Sequence, residues 1–252
     1  MSSAVAPEWY VISLRPRGQH APMRRAAARR GGAVIALSPW ALQLRDDDAT
    51  RAELDAALAA PRVLVTSPAA VRAASALRPL CERDGQRWFA VGAGTAATLR
   101  RAGVGTVAAP TRMDSEGLLA LPDLQRFNGD AIGLLTAPGG RGTLVPALRA
   151  RGAEVRRADV YQRVPLPPAP RALLALRGLS RPAAIALSSG EALQLLLATV
   201  PDDVAARLRA LPLVGASDRL LDLAATLGFE HRHRAADARP ATLVEAVATL
   251  LR

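Results

Sequence analysis

The chain has 252 residues, a length that allows one large domain or two of ordinary size. Half of it is hydrophobic and 22% is charged, which excludes a disordered chain and a collagen-like repeat; with only 3% aromatics, the core must be built from Ala, Leu and Val. The formal net charge is +11 and all 33 basic residues are arginine. Such a surplus favours an acidic partner, but the arginines are scattered and form no clustered stripe, which speaks against a nucleic-acid partner.

In chain order, a strand around Ile12 runs into the loop Leu14-Arg15-Pro16-Arg17-Gly18, followed by an Ala/Arg helix, Gly31-Gly32 and the apolar Ala33-Val34-Ile35. A longer, more β-like stretch covers Val34 to Leu44. The strand Val63-Leu64-Val65 leads into Thr66-Ser67-Pro68 and a helix, and Phe89-Ala90-Val91-Gly92 opens a helix that stops at Gly103. Ser115-Glu116 marks another helix start. A strand at Ile132 ends in Ala137-Pro138-Gly139-Gly140-Arg141-Gly142, then a helix, Gly152 and Val155. A second β-like stretch, Val155 to Leu166, meets a stiff spacer containing Pro165, Pro167, Pro168 and Pro170. Ile185-Ala186-Leu187 leads to Ser188-Ser189-Gly190 and a helix. Leu213-Val214-Gly215-Ala216-Ser217 opens a helix stopping at Gly228, and Thr242 with Glu245 marks the last start.

The second half echoes the first at an offset of about 120 residues, close to one domain length, so the chain reads as an internal duplication. Strands alternating with helices predict an α/β fold with two parallel sheets, each covered on both faces. Ser67, Thr95, Ser115, Ser189 and Ser217 stand where N-caps are wanted. Loops after strands are where such sheets bind ligands, against helix N-termini that attract anions. The two β-like stretches predict crossings at about 34–44 and 155–167, so that the chain leaves one domain, builds the other and returns. The domains expected are a discontinuous one, 1–36 plus 168–252, and a continuous one, 40–160. Strands at Ile12, Ile35, Ile185 and Leu213 should share one sheet, and those at Val63 and Ile132 the other.

The lone Cys81 can form no intramolecular disulfide, paired cysteines for zinc are absent, and two of the three histidines (His231, His233) sit in one Arg-flanked turn. Metal catalysis is therefore a poor reading. No segment approaches the roughly 18 apolar residues of a membrane span, and the start MSSAVAPEW lacks the pattern of a secretory leader, so a cytoplasmic protein with no membrane partner is expected. The Gly92-Ala93-Gly94 run lacks the third glycine of a dinucleotide fingerprint, since Ala97 stands there.

Together these segments resemble the uroporphyrinogen-III synthase family of tetrapyrrole biosynthesis. The signatures are Val65-Thr66-Ser67-Pro68, Ala90-Val91-Gly92 with Thr95-Ala96, Leu99-Arg100-Arg101-Ala102-Gly103 and Ser115-Glu116-Gly117-Leu118-Leu119. They continue with Arg141 and Leu144, Val160-Tyr161-Gln162, Leu187-Ser188-Ser189 and Val214-Gly215-Ala216-Ser217. The resemblance covers nearly the whole chain, in order.

It implies a monomer of two flavodoxin-like α/β domains joined by a two-stranded β linker, with the active site in the cleft between them. It implies no cofactor and no metal. The implied substrate is hydroxymethylbilane, a linear tetrapyrrole with eight carboxylates, cyclised with inversion of ring D and loss of water through an azafulvene and a spiro-pyrrolenine. A basic protein without a nucleic-acid motif suits such a polyanion, and a reaction that mainly needs its geometry held explains the lack of an obvious catalytic His, Cys or carboxylate pair.

The resemblance assigns Tyr161, on the return crossing, as the group that hydrogen-bonds the departing hydroxyl. Arg15 and Arg141, in equivalent strand-end loops, are expected to bind carboxylates, which arginine grips with paired donors. Ser67, Thr95, Ser188, Ser189 and Ser217 are expected to bind substrate from the strand ends. Ala69 and Asp218 depart from the family's basic and hydroxyl residues. The alternative is a non-catalytic ligand-sensing regulatory domain of the same fold, although no output element is visible in the sequence.

Overall fold

The structure, a computed structural model, describes residues 6–112, 114–139 and 142–252. The chain opens with β1 (Trp9–Ser13), α1 (Ala21–Ala28), β2 (Gly32–Ala36) and β3 (Trp40–Leu44). It continues with α2 (Asp48–Leu58), β4 (Arg62–Val65), α3 (Pro68–Leu77), β5 (Arg87–Ala90), α4 (Ala93–Arg101), β6 (Val107–Ala108) and α5 (Ser115–Leu119). After these come β7 (Ala131–Thr136), α6 (Leu144–Ala150), β8 (Glu154–Asp159), β9 (Tyr161–Pro165) and α7 (Pro170–Arg177). The last elements are β10 (Ala183–Leu187), α8 (Gly190–Thr199), α9 (Asp202–Arg209), β11 (Leu213–Gly215), α10 (Asp218–Thr226), β12 (Arg232–Arg234) and α11 (Pro240–Leu250). They form two compact units, 1–41 with 164–252, and 42–163.

Unit 1 holds a parallel five-stranded sheet in the order β12-β11-β10-β1-β2. Taken in chain order within the unit this is 2-1-3-4-5, the flavodoxin arrangement. Unit 2 holds the parallel sheet β6-β5-β4-β7-β8. That is the same arrangement circularly permuted. Strands at Ile12, Ile35, Ile185 and Leu213 do share the first sheet, and those at Val63 and Ile132 the second. Between β4 and β7 the strand order reverses in unit 2, as it does between β1 and β10 in unit 1. Crevices at such reversals, beyond the carboxyl ends of the strands, are the ligand sites of open α/β sheets.

Period-two alternation sorts the strand side chains onto two covered faces. In β4, Val63 and Val65 join one apolar cluster with Trp88, Ala90 and Leu135, while Leu64 joins the other with Phe89, Ile132 and Leu134. The unit 1 core is built largely of small residues, among them Ala26, Ala27, Ala184 and Ala186 around Val11, Val214 and Val244. Gly133 explains one close approach. A Cβ there would fall on the carbonyl oxygen of Ala57, so glycine lets α2 lie directly against β7.

Each β-like stretch proves to be two strands in series. β2 and β8 are sheet strands, and β3 and β9 form a separate pair. Its backbone hydrogen bonds run from Arg45 N to Val160 O (3.1 Å) and from Leu166 N to Pro39 O (2.9 Å), an antiparallel register. The handover occurs at Val160, whose own N–H still donates to Thr136 O of β7 (3.1 Å) while its carbonyl already serves Arg45.

Candidate functional site

The carboxyl ends of β4, β7 and β8 converge in unit 2 on a pocket of about 250 Å³. Thr66, Ser67, Thr136, Arg157, Tyr161 and Arg163 are among its lining residues. Thr66 follows the last residue of β4 and donates through Oγ1 to Thr136 Oγ1 (2.9 Å), which bridges the ends of the two strands at the reversal. Ser67 then leaves the sheet in extended backbone and caps α3, its Oγ accepting from Ala70 N–H (3.0 Å). The same Oγ lies 3.2 Å from the Tyr161 hydroxyl. Tyr161 is 8% exposed, its ring belonging to the apolar cluster of Val65, Val71 and Leu135, so packing fixes the ring and leaves the hydroxyl at the pocket.

Two arginines give the pocket its charge. Arg157 Nε donates to Asp159 Oδ1 (3.0 Å), and its Nη2 donates to the Ala137 carbonyl (3.2 Å), bracing the loop after β7. Arg163 contributes from β9. Residues 157, 161 and 163 stand at even spacings on extended chain, the signal by which both arginines could have been found in the sequence.

The other expected residues fall in different places. Arg141 lies outside the described residues. Thr95 does not cap α4. Gly92 holds that position, and Thr95 sits buried in the first turn and outside the pocket lining. Ser115 likewise is displaced as a cap by Asp114, whose carboxylate accepts from Gly117 N–H (2.8 Å), yet Ser115 still lines the pocket. A carboxylate outcompetes a hydroxyl there because it adds a charge at the helix N-terminus.

Arg15, Ser188, Ser189 and Ser217 stand at the carboxyl ends of the unit 1 strands. Ser189 caps α8 by accepting from Ala192 N–H (3.3 Å), and Ser188 is exposed. Ser217 holds the N-cap position of α10 without a side-chain cap bond, and Asp218 beside it pairs with Arg234. Arg15 Nε donates to Gln19 O (3.0 Å), within its own loop. The sequence reading missed His20, 6% exposed, whose two ring nitrogens contact Ser13 Oγ and Ser38 Oγ.

Burial, and then the neighbouring Arg24 and Arg15 cations, lower the pKa of His20 from 6.5 to about 4, so the ring is neutral at pH 7. Among the described residues no group of three or more His, Cys, Asp or Glu is placed to hold a metal ion, and no helix is long and apolar enough to cross a membrane.

The family model described as uroporphyrinogen-III synthase HemD matches residues 21–245. The chain belongs to that family. A uroporphyrinogen-III synthase of Salmonella typhimurium is 40% identical over 89 residues, covering 32% of this chain and 36% of that protein. Its Escherichia coli namesake is 35% identical over 146 residues, 57% of this chain and 59% of that one. The chain thus aligns with less than two thirds of either curated relative.

Solved uroporphyrinogen III synthases from Helicobacter pylori and Thermus thermophilus share the fold of this uroporphyrinogen-III synthase family member. The first has a TM-score of 0.63 at 14% identity, covering 96% of this chain and 99% of that one. The second, a mutant, has a TM-score of 0.58 at 18% identity, covering 94% and 96%. The named relatives are synthases, which disfavours the ligand-sensing alternative.

Proposed function

We propose that the chain cyclises hydroxymethylbilane to uroporphyrinogen III, inverting ring D with loss of water. Family membership supports the reading, and one observation carries it to this chain's own residues: a tyrosine hydroxyl, held by a capping serine, lines a small pocket at the strand-order reversal of unit 2 together with two arginines. At about 250 Å³ the pocket is below the roughly 300–1,000 Å³ that houses a whole drug-sized ligand, and so takes one substituted pyrrole of a tetrapyrrole rather than all of it.

Arg157 and Arg163 bind the acid side chains of that ring, and Arg15, Ser67, Ser188, Ser189, Ser217 and Arg141 are the remaining candidates for carboxylate and amide-bordered contacts, whereas the buried Thr95 supports the fold of α4. Tyr161 donates its proton in a hydrogen bond to the terminal hydroxyl. The C–O bond breaks as the pyrrole nitrogen lone pair pushes in, the hydroxyl leaves as water with a proton from its surroundings, and the pyrrole N–H returns a proton to solvent to give the neutral azafulvene. Carbon–carbon closure at the substituted α-carbon of ring D gives the spiro-pyrrolenine, and its fragmentation and reclosure give the type III ring. Holding ring D in place is the main task, because the substrate closes unaided to the type I isomer. The enzyme works as a cytoplasmic monomer without nucleic-acid or membrane partners.

The test is incubation with freshly generated hydroxymethylbilane, followed by oxidation and isomer analysis. Type III product above the spontaneous background is expected. Product that stays type I sinks the assignment.

A further inference from the structure

We propose that His20 is a positioning residue, which pins the β1–α1 loop at the strand-order reversal of unit 1 so that Arg15 meets a substrate carboxylate. The proposal rests on the reading above and adds to it a residue that never touches substrate.

His20 occupies the N-cap position of α1 but makes no cap bond, so its ring is committed elsewhere. Nδ1 lies 2.9 Å from Ser13 Oγ, and Nε2 lies 2.7 Å from Ser38 Oγ. Ser13 is the fully buried last residue of β1, and Ser38 follows β2, the neighbouring strand. One ring therefore ties the start of α1 to the ends of two adjacent strands. The loop so enclosed carries Arg15, whose Nε holds Gln19 O, and Arg17, whose backbone N–H donates to Trp40 O (3.0 Å). These contacts fix both ends and the middle of the loop.

The loop leaves β1 where β1 and β10 part, the place a ligand occupies in a sheet of this order. A neutral imidazole also suits it. It donates at one nitrogen and accepts at the other, which serves two hydroxyls at once without adding a third positive charge beside Arg15 and Arg24. Arginine sites for carboxylates work only when the guanidinium is held in register, and a misplacement of about 1 Å is enough to lose a large part of the effect.

The experiment measures kcat, KM and isomer ratio with hydroxymethylbilane for the wild type, Ser38→Ala, His20→Ala, His20→Gln, Arg15→Ala and the pair Arg15→Ala with Ser38→Ala, with thermal melting of each. Loss of one buried hydrogen bond corresponds to about a 3- to 10-fold change, so Ser38→Ala should raise KM by that factor with kcat nearly unchanged. His20→Ala should raise it more, and His20→Gln should recover part of the loss. In the Arg15→Ala background, Ser38→Ala should do nothing further, because the side chain it positions is gone.

An unchanged KM in folded Ser38→Ala, or effects of Ser38 and Arg15 that simply multiply, overturns the proposal. Should His20→Ala fail to fold, the partly exposed Ser38 variant still decides. A wild type that makes only type I product overturns the functional reading and this proposal with it, a result separate from normal wild-type product with unaltered variants.

Discussion

The Tyr161 hydroxyl lies 3.2 Å from Ser67 Oγ across 94 residues of sequence. The contact exists because the parallel strands β4 and β8 both end at the carboxyl side of one sheet, with β7 between them, and Tyr161 follows β8 directly. Ser67 Oγ is at the same time occupied by the N–H of Ala70. Its place is thus set by the helix, and the tyrosine hydroxyl has a fixed partner.

Tyr161→Phe should therefore slow turnover without unfolding the protein, since one oxygen is removed and the ring keeps its packing. Essential general-acid assistance contributes about 10²–10⁴-fold, but an azafulvene forms readily from an electron-rich pyrrole, so a loss of about 3- to 30-fold is expected. Product should remain type III. Steady-state rates with isomer analysis check both; full activity would leave the ring a packing role, and a switch to type I would make Tyr161 a residue that positions ring D.

Ser67→Ala separates the serine's two duties. Loss of the α3 cap should cost about 0.5–2 kcal/mol, read as a lower midpoint in denaturant. The activity loss in Ser67→Ala should shrink when Tyr161 is already Phe, because the contact between them no longer exists. Independent effects on activity would show that the pair does not act together.

Arg157→Ala and Arg163→Ala should each raise KM for the polycarboxylate, by about 10-fold for one lost charge-assisted hydrogen bond. The wild-type KM should also rise with salt, because exposed charges are screened over about 8–10 Å at physiological ionic strength. Arg157→Ala should have the larger effect, since Arg157 also braces Ala137 O of the pocket loop. A KM indifferent to salt and to both variants would remove the arginines from the site.

The repeat and its Gly and Ser punctuation made the sheets legible, because short apolar strands and their exit loops are encoded locally. The pocket was legible only in part. Ser67 and Tyr161 could be named from the sequence, but their contact depends on which strands neighbour which. Caps are hard to place where a second candidate lies within one turn: backbone geometry puts Gly92 ahead of Thr95, three residues on, and charge puts Asp114 ahead of the adjacent Ser115. His20 left no trace in any periodicity, since its partners Ser13 and Ser38 lie 7 and 18 residues away.

His20 also predicts a pH dependence of stability. Its pKa is about 4 in the folded chain against 6.5 unfolded, the cationic form being opposed by burial, by Arg24 from α1 and by Arg15 from the loop. Below pH 6.5 the unfolded chain takes up a proton that the folded one refuses, so stability falls as pH drops from about 6.5 to 4 and is fully retained above. The loss should reach roughly 1–3 kcal/mol. Urea midpoints at pH 7 and pH 4.5 should draw together in His20→Gln, and an undiminished difference would assign the acid sensitivity to other groups.

Gly133 offers a test of the link between packing and site. It lies in β7, three residues before Thr136, and α2 approaches so closely that any Cβ would meet the carbonyl oxygen of Ala57. Backbone cannot rotate away as a side chain tip can. Gly133→Ala must therefore push α2 off the sheet or shift β7 itself, an overpacking cost of about 1–3 kcal/mol. A shift of β7 would also stretch the Thr66–Thr136 hydrogen bond that frames the pocket. The expected result is a lower melting temperature together with a higher KM. The control Gly85→Ala, in the turn before β5 and away from the pocket, carries no such clash and should leave both the α2–β7 packing and KM alone, although its positive φ of 73° adds local backbone strain. A Gly133→Ala protein as stable as the wild type would mean that α2 does not rest on β7 in solution.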